Sequence, residues 1–173
     1  MPVDPITSAI AGLNFSLLTN ASLFFHSSLV MAISALLLTA LAYFTISDKR
    51  KIFVIIATLL LAFAVSESTK PYFAQPRPCP EIPAKTACPS DYSFPSGHAI
   101  IAFALMAAML GETLFPLYFL FAIFIAFSRI YLGVHTFFDI AASLALAFAC
   151  FAFVKAAYAY ALKAEKRPRE SSR

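Results

Sequence analysis

Apolar residues occupy most of the chain in long uncharged blocks that short polar segments separate. No formal charge occurs within residues 5–47, 52–66, 92–111, 113–128 and 140–154. A membrane-spanning helix needs roughly 20 apolar residues, so the first block must divide. We predict about five transmembrane helices, at 22–46, 52–68, 97–112, 114–129 and 138–161. The sequence therefore predicts an all-α fold, a polytopic membrane helix bundle in which residues 1–173 form a single transmembrane domain.

The segment before Thr19-Asn20 is less uniformly apolar than the rest of the first block, and we place the division of the block at Thr19-Asn20. Its apolar residues follow helical spacing and polar residues fill the other positions: Ile6, Ile10, Leu13 and Leu17 against Thr7, Ser8, Asn14 and Ser16. This pattern is typical of a helix that lies at the membrane interface, and a short sixth span is the alternative. The N-terminus lacks the basic residues of a cleaved secretory signal.

The composition of 61% hydrophobic and 13% charged residues excludes an ordinary soluble domain. The net charge of +4 does not indicate a nucleic-acid partner, because the basic residues lie in short loops and at the C-terminus. With five spans, the loop 48–51 and the basic tail share one side, which the positive-inside rule makes cytoplasmic. The tail residues are Lys163, Lys166, Arg167, Arg169 and Arg173. The bilayer is therefore the expected environment, and the opposite side faces outward.

Three polar clusters emerge at the outward side: 70–78, 95–98 and 128–139. They contain five basic or imidazole side chains: Lys70, Arg77, His98, Arg129 and His135. Such groups are costly near hydrocarbon, and converging cations repel one another unless an anion lies between them. Any one of them alone fits an interfacial anchor. Five of them beside Ser96-Gly97 indicate a phosphate site.

The spacing of these residues suggests their roles in phosphoryl transfer. His135 and Asp139 are four residues apart, which on a helical turn sets a carboxylate beside the imidazole and raises its basicity. We expect His135 to attack phosphorus, Asp139 to orient it, and His98 to protonate the leaving oxygen before water hydrolyses the phosphohistidine. Ser96 is a candidate N-cap, and Gly97 lets the backbone approach a ligand. The residues expected to bind the phosphoryl group are Lys70, Arg77, Ser96, Gly97 and Arg129.

The loop from Pro71 to Pro95 holds seven of the eleven prolines, which excludes a regular helix there. It also holds Cys79 and Cys88, which on an oxidising outer face can form a disulfide. Two free thiols are the first alternative. A zinc site that also uses His98 is the second, although its spacing fits no standard zinc motif.

The three clusters together carry a family resemblance. They read Lys70-PYFAQP-Arg77-Pro78, Pro95-Ser96-Gly97-His98 and Ser128-Arg129-IYLGV-His135-TFF-Asp139. In this order and spacing they resemble the signature of the type 2 phosphatidic acid phosphatase superfamily, which shares its core with vanadium haloperoxidases. The resemblance implies a helical membrane fold, hydrolysis of phosphomonoesters or diphosphates without a metal or other cofactor, and inhibition by vanadate. It also gives His135 and His98 the family's roles of nucleophile and acid.

A site at the bilayer edge favours a lipid phosphate as the substrate. The chain resembles polyprenyl diphosphate phosphatases such as those acting on undecaprenyl diphosphate, so we expect release of phosphate from a polyprenyl diphosphate. Phosphatidate and phosphatidylglycerophosphate are the rival lipids. A vanadate-dependent peroxidase and a non-enzymatic anion-binding or lipid-binding membrane protein are the alternatives of other classes. The spans argue against the peroxidase, and confinement of the polar residues to one face argues against a channel.

Overall fold

The computed structural model describes residues 3–170, with side chains from residue 3 to residue 164. This part of the chain contains helices and loops but no β-strand, which confirms the all-α fold. Its helices are α1 (Pro5–Gly12), α2 (Ser16–Phe24), α3 (Ser28–Thr45), α4 (Arg50–Phe73), α5 (Gly97–Ala108), α6 (Phe115–Tyr131) and α7 (Phe137–Glu170). In the basic tail, the side chains of Lys166, Arg167 and Arg169, and the whole of Arg173, lie outside the described residues.

Three of these helices are long and apolar enough to cross a membrane: α3, α4 and α7, the last over Phe137–Ala164. Helices α5 and α6 coincide with two further predicted spans. At 12 and 17 residues they are shorter than α3, α4 and α7. Helix α5 packs against α4, α6 and α7, and eight of its residues are buried. Several of these are alanines, which let neighbouring helices approach closely. Helix α5 therefore forms the centre of the bundle.

The connections alternate between the two ends of the bundle. Lys51 in the first turn of α4 forms an ion pair with Glu112 in the α5–α6 turn, so these two connections lie at the same end. Lys70, His98 and Arg129, near the ends of α4, α5 and α6, line one cavity. Each of these three residues lies at the end of its helix that is away from the Lys51–Glu112 ion pair. The cavity therefore lies at the opposite end of the bundle from that pair. The helices thus run antiparallel in the order that the sequence predicts.

The prediction that the first block divides at Thr19-Asn20 is wrong. Both residues lie within α2, and the chain breaks on either side of that helix. The Thr19 hydroxyl donates to the carbonyl of Phe15 at 3.0 Å and lies 2.7 Å from the Tyr131 hydroxyl. A polar side chain satisfied in this way can remain inside a helix. The first predicted span, 22–46, is correspondingly too long, since α3 begins at Ser28.

The prediction that no regular helix forms between Pro71 and Pro95 is also wrong for the first residues of this loop, because α4 continues through Pro71 to Phe73. Proline lacks an N–H, so the hydrogen bond from position 71 to the Glu67 carbonyl is lost. Ala74 caps the end of the helix, with a φ of 45° and an N–H that donates to the Lys70 carbonyl at 2.9 Å. The additional residues keep Lys70 on a regular helix at the cavity.

The two short N-terminal helices dock at the cavity end of the bundle. The Phe137 N–H at the start of α7 donates to the Thr7 hydroxyl at 2.8 Å. The Phe15 N–H donates to the Tyr131 hydroxyl at 2.9 Å, and Lys85 Nζ lies 4.2 Å from the centroid of the Tyr131 ring. These contacts hold α1 and α2 beside the end of α6. They also fix the α2–α3 connection at the same end.

The proline-rich loop supports the turn between α6 and α7. Cys79 and Cys88 are bonded to each other, with their Cα atoms 5.7 Å apart. Cys79 packs with Leu132 and Val134 in a small apolar cluster, and the Lys85 N–H donates to the Leu132 carbonyl at 3.1 Å. The bridged loop therefore lies against the turn that precedes His135.

Candidate active site

A cavity of about 470 Å³ lies at this end of the bundle, and all three polar clusters reach it. Six of the site residues expected from the sequence line it: Lys70, Arg77, Gly97, His98, Arg129 and His135. Ser96 and Asp139 are buried and do not line it. The convergence follows from the antiparallel packing, because α4, α5, α6 and α7 each bring one end to the same place.

The Asp139 carboxylate is buried and receives three hydrogen bonds. The Thr136 N–H donates to Oδ2 at 2.8 Å, the Gln75 side-chain amide donates to Oδ1 at 3.0 Å, and the Ser93 hydroxyl donates to Oδ2. Oδ2 lies 3.4 Å from Nδ1 of His135. This separation is long for a hydrogen bond, as is common for catalytic pairs without substrate. The expected pair is therefore present, and its carboxylate is held in one orientation.

The other ring nitrogen of His135 faces a cation. Arg77 Nη1 lies 3.1 Å from His135 Nε2 and also donates to the Val134 carbonyl at 2.9 Å. A guanidinium only donates, so Nε2 carries a lone pair and the ring proton is on Nδ1, facing Asp139. Burial lowers the pKa of His135, although the hydrogen bond with Asp139 opposes this shift. A neutral imidazole with a lone pair at the cavity can act as a nucleophile.

An acidic side chain, Asp91, occupies the position between two of the cations. Its carboxylate oxygens lie 3.0 Å from Lys70 Nζ and 2.7 Å from Arg77 Nη2. Glu67 pairs with Lys70 as well, at 2.9 Å. Burial raises the pKa of Asp91, but hydrogen bonds from Lys70 and Arg77 outweigh burial and lower it to about 2. Asp91 is therefore ionised at neutral pH, and an incoming phosphate must compete with it.

The third cation, Arg129, has no carboxylate partner among the described residues. Its side chain is buried, and its Nε atom has no hydrogen-bond partner. Its Nη1 donates to Nδ1 of His26 at 2.9 Å. Burying a cation without a counter-ion is costly. Arg129 is thus the cation most available to an anion in the cavity.

The N-terminus of α5 presents backbone donors to the cavity. The Ser96 hydroxyl caps the helix by accepting from the Ala99 N–H at 3.5 Å, and the Ser96 N–H donates to the Ser143 hydroxyl at 3.0 Å. Within residues 3–170, no acceptor pairs with the N–H of Gly97 or of His98. Free N–H groups at a helix N-terminus bind phosphate oxygens. The Ser96 side chain thus caps α5, while the backbone that follows it faces the cavity.

Two further polar atoms beside this helix end, His98 Nε2 and Ser66 Oγ, are buried and have no hydrogen-bond partner in the part of the chain that the structure describes. A Cβ atom added at Gly97 would lie 3.5 Å from Ser66 Oγ and 3.8 Å from Lys70 Nζ. The glycine therefore leaves open the space between the Lys70 ammonium and the end of α5. Buried polar atoms that have no partner beside an open space are suited to bind a polar group there.

The residues of the site that were not expected from the sequence include His26, Gln75, Asp91 and Ser93. Gln75 stands between the Lys and Arg of the first cluster, and Asp91 and Ser93 stand just before the second, in a loop without periodicity. His26 is the one imidazole in the otherwise uncharged block 5–47, and that was the available signal.

Gly133 shapes the turn that presents His135. Its φ is +74°, and a Cβ atom there would lie 3.0 Å from Ala84 Cα and 3.2 Å from the Pro83 carbonyl oxygen. Because these are backbone atoms, Gly133→Ala should cost about 1–3 kcal/mol of stability and lower activity by displacing His135. Thermal unfolding and kcat test this against Gly12→Ala, whose added Cβ meets nothing within 4 Å. A Gly133→Ala protein as stable and active as the Gly12→Ala control would contradict it.

Comparison with known proteins places these features in a wider group. Residues 51–163 match the sequence profile of the PAP2 superfamily. The crystal structure of Aquifex aeolicus LpxE superposes with a TM-score of 0.70 and 25% sequence identity, covering 86% of this chain and 92% of that chain. The first transmembrane PAP2 type phosphatidylglycerolphosphate phosphatase from Bacillus subtilis has a TM-score of 0.68 and 19% identity, over 87% and 81% of the two chains. No curated protein matches the chain.

Proposed function

This chain belongs to the PAP2 superfamily and is a membrane-embedded phosphoric ester hydrolase, and we propose that it converts a polyprenyl diphosphate to polyprenyl phosphate and inorganic phosphate. We propose further that residues 1–173 act as one transmembrane phosphatase domain. The cavity is assigned to the extracytoplasmic face, because the basic loop 48–51 lies at the other end of the bundle.

An apolar arm of the cavity carries this proposal. The arm is lined by Met31, Ala32 and Ala35 of α3, Leu59, Leu60 and Phe63 of α4, and Ile101 of α5. The side chains of Leu60 and Phe63 are 66% and 59% exposed, so the arm reaches the outer surface between α3 and α4. Both of these helices are membrane-spanning by length and composition. A lipid can therefore enter from the hydrocarbon with its phosphates directed at His135.

We base the choice of a lipid with one chain on the lining of this arm. Its lining comes from the facing sides of α3 and α4 with a single contribution from α5. A polyprenyl diphosphate has one chain to place there, whereas phosphatidate and phosphatidylglycerophosphate have two. The second structural relative is too distant in sequence to favour the glycerophospholipid. These two-chain lipids are the competitors in the test below.

The first chemical step forms a covalent phosphohistidine. The terminal phosphoryl group displaces Asp91 from Lys70 and Arg77, and Arg129 and the N–H groups at the α5 N-terminus bind its remaining oxygens. His135 Nε2 attacks phosphorus as the bond to the bridging oxygen breaks, and His98, which is protonated once the anionic substrate is bound beside it, donates its proton to that oxygen. Asp139 stabilises the positive charge that develops on the ring through Nδ1–H. Polyprenyl phosphate leaves.

The second step returns the enzyme to its starting state. A water molecule takes the place of the leaving group and loses its proton to His98 as it attacks the phosphohistidine. The P–N bond breaks, inorganic phosphate forms, and His135 regains its lone pair at Nε2. Asp91 can then pair again with the two cations, which favours release of the phosphate.

The substrate is tested by phosphate release from a panel of lipids. The protein is purified in detergent and given polyprenyl diphosphate, polyprenyl phosphate, phosphatidate or phosphatidylglycerophosphate in the presence of a chelator. We expect the highest kcat/KM for polyprenyl diphosphate, no effect of the chelator, and inhibition by vanadate. A higher kcat/KM for a two-chain lipid would overturn the choice of substrate. No release from any lipid phosphate would overturn the proposed activity.

A matched pair of variants tests the role of the apolar arm in the same assay. Ala35→Phe fills the arm, whereas Ile33→Phe adds bulk to the same helix at a side chain that is 48% exposed and does not line the cavity. We expect Ala35→Phe to raise KM for the lipid and to leave hydrolysis of the small soluble ester p-nitrophenyl phosphate unchanged. Equal lipid kinetics in the two variants would remove the arm from the proposal.

A further inference from the structure

His26 reaches the cavity from the connection between α2 and α3, outside the segment 51–163 that matches the PAP2 profile. The mechanism described above gives it no part. The connection is held in place because α1 and α2 dock on the end of α6, through bonds such as that from the Phe15 N–H to the Tyr131 hydroxyl. His26 is thus a fixed part of the site that the family signature does not include.

The contact between His26 and Arg129 defines the state of the imidazole. His26 Nδ1 lies 2.9 Å from Arg129 Nη1. Because a guanidinium only donates, Nδ1 accepts and the ring proton is on Nε2, which makes the ring neutral. Burial, and then the positive charges of Arg129 and Arg77, lower the pKa of His26 and so agree with the neutral form.

Arg129 depends on this contact for its orientation. Its side chain is 2% exposed, its Nε has no partner, and within the described part of the chain His26 is the one residue that accepts a hydrogen bond from it. The His26 ring also lies parallel to the ring of His98, with centroids 6.5 Å apart and planes at 16°. The imidazole therefore fills the space beside both Arg129 and the proposed acid.

We propose that His26 is a positioning residue for phosphoryl transfer, which holds the Arg129 guanidinium toward the oxygens of the phosphoryl group. The inference rests on the proposed function of the same cavity. Arg129 stabilises charge on those oxygens only if its donors are directed at them before the reaction begins. The two N-terminal helices, through the connection that follows them, are then part of what organises the site.

Two nearly isosteric variants separate hydrogen bonding from packing. The side chains of Asn and Leu both branch at Cγ. Only Asn has an oxygen that can accept a hydrogen bond from Arg129 at the position that His26 Nδ1 occupies. We expect His26→Leu to lower kcat on lipid substrate roughly 10- to 100-fold with KM within about 3-fold of wild type, and His26→Asn to retain kcat within about 3-fold. Ser27→Ala, at the exposed neighbouring position, is the control and should match wild type. Equal kcat values for the Leu and Asn variants would overturn the inference.

Binding of vanadate provides a readout that does not depend on turnover. Vanadate bound at Arg129 should raise the melting temperature of wild type and His26→Asn, and raise it less in His26→Leu. Equal shifts in the Leu and Asn variants would count against His26. If His26→Leu does not fold, His26→Ala replaces it. Recovery of the vanadate-induced rise in melting temperature on adding imidazole would support the inference, and no recovery would overturn it. Unequal shifts in a protein that hydrolyses no lipid would overturn the proposed function and leave only the effect of His26 on anion binding at Arg129.

Discussion

His135→Ala should abolish phosphate release, lowering kcat by roughly 10⁴-fold or more while the protein remains folded. In the proposed mechanism this side chain supplies the attacking atom, and the Ser93 hydroxyl, which also contacts Asp139, is buried and does not line the cavity. Folding should persist because Arg77 keeps its bonds to Val134 and Asp91 when it loses Nε2 of His135. The measurement is kcat on the preferred lipid, with thermal unfolding of the same preparation.

A matched control for this variant is Phe138→Leu, which changes a 67% exposed side chain three positions along the chain from His135. It should retain both activity and stability. If His135→Ala kept activity within about 10-fold of the Phe138→Leu control, His135 would not be the nucleophile.

His98→Ala should have the second-largest effect, and its size should depend on the leaving group. With a lipid monophosphate, whose leaving alkoxide needs a proton, we expect a loss of roughly 10²- to 10⁴-fold. With p-nitrophenyl phosphate, whose leaving group departs without a proton, the first step should be nearly unaffected. Since His98 is also the proposed base of the second step, we expect p-nitrophenol to appear in a burst equal to the amount of enzyme, followed by slow turnover.

Stopped-flow absorbance with p-nitrophenyl phosphate, beside steady-state assays with the lipid, measures both effects. Wild type provides the comparison, and it should show no slow phase of this kind. An equal loss on the two substrates without a burst would contradict the assignment of His98 as acid and then base.

The parts of the site that follow from local geometry were predictable from the sequence. His135 and Asp139 are paired because residues four apart share a helical face, and Ser96 caps α5 because it precedes an apolar helical run. The three clusters converge because successive apolar helices run in opposite directions, which brings alternate connections to the same end of the bundle. Each of these predictions needs only the helix period and the direction of the chain.

The residues that sequence reasoning missed depend on packing between distant segments. The Gln75 amide reaches Asp139, and His26 reaches Arg129, only once the loops fold over the end of the bundle. Asp91 lies in a proline-rich loop whose path no periodicity describes. The misplaced division at Thr19-Asn20 has the same origin, because the Tyr131 hydroxyl that contacts Thr19 comes from α6.

The pairing of Asp91 with Lys70 and Arg77 changes how the charges of the site are understood. The sequence predicts three cations around one phosphate. In the structure two of them already hold a carboxylate, and Arg129 alone is without one among the described residues. We therefore expect the substrate to replace one anion by another at Lys70 and Arg77, and to bring an anion to Arg129. This difference is why we expect the orientation of Arg129, and hence His26, to affect the reaction.

Covalent phosphorylation of His135 is the central claim, and trapping the intermediate tests it most directly. The protein is mixed with substrate carrying labelled terminal phosphate, quenched in alkali, in which phosphohistidine persists, and digested for mass spectrometry. We predict label on His135 in wild type, more of it in His98→Ala with an aryl phosphate substrate, and none in His135→Ala. Continued turnover with no label on the protein, or label on a different residue, would contradict the mechanism.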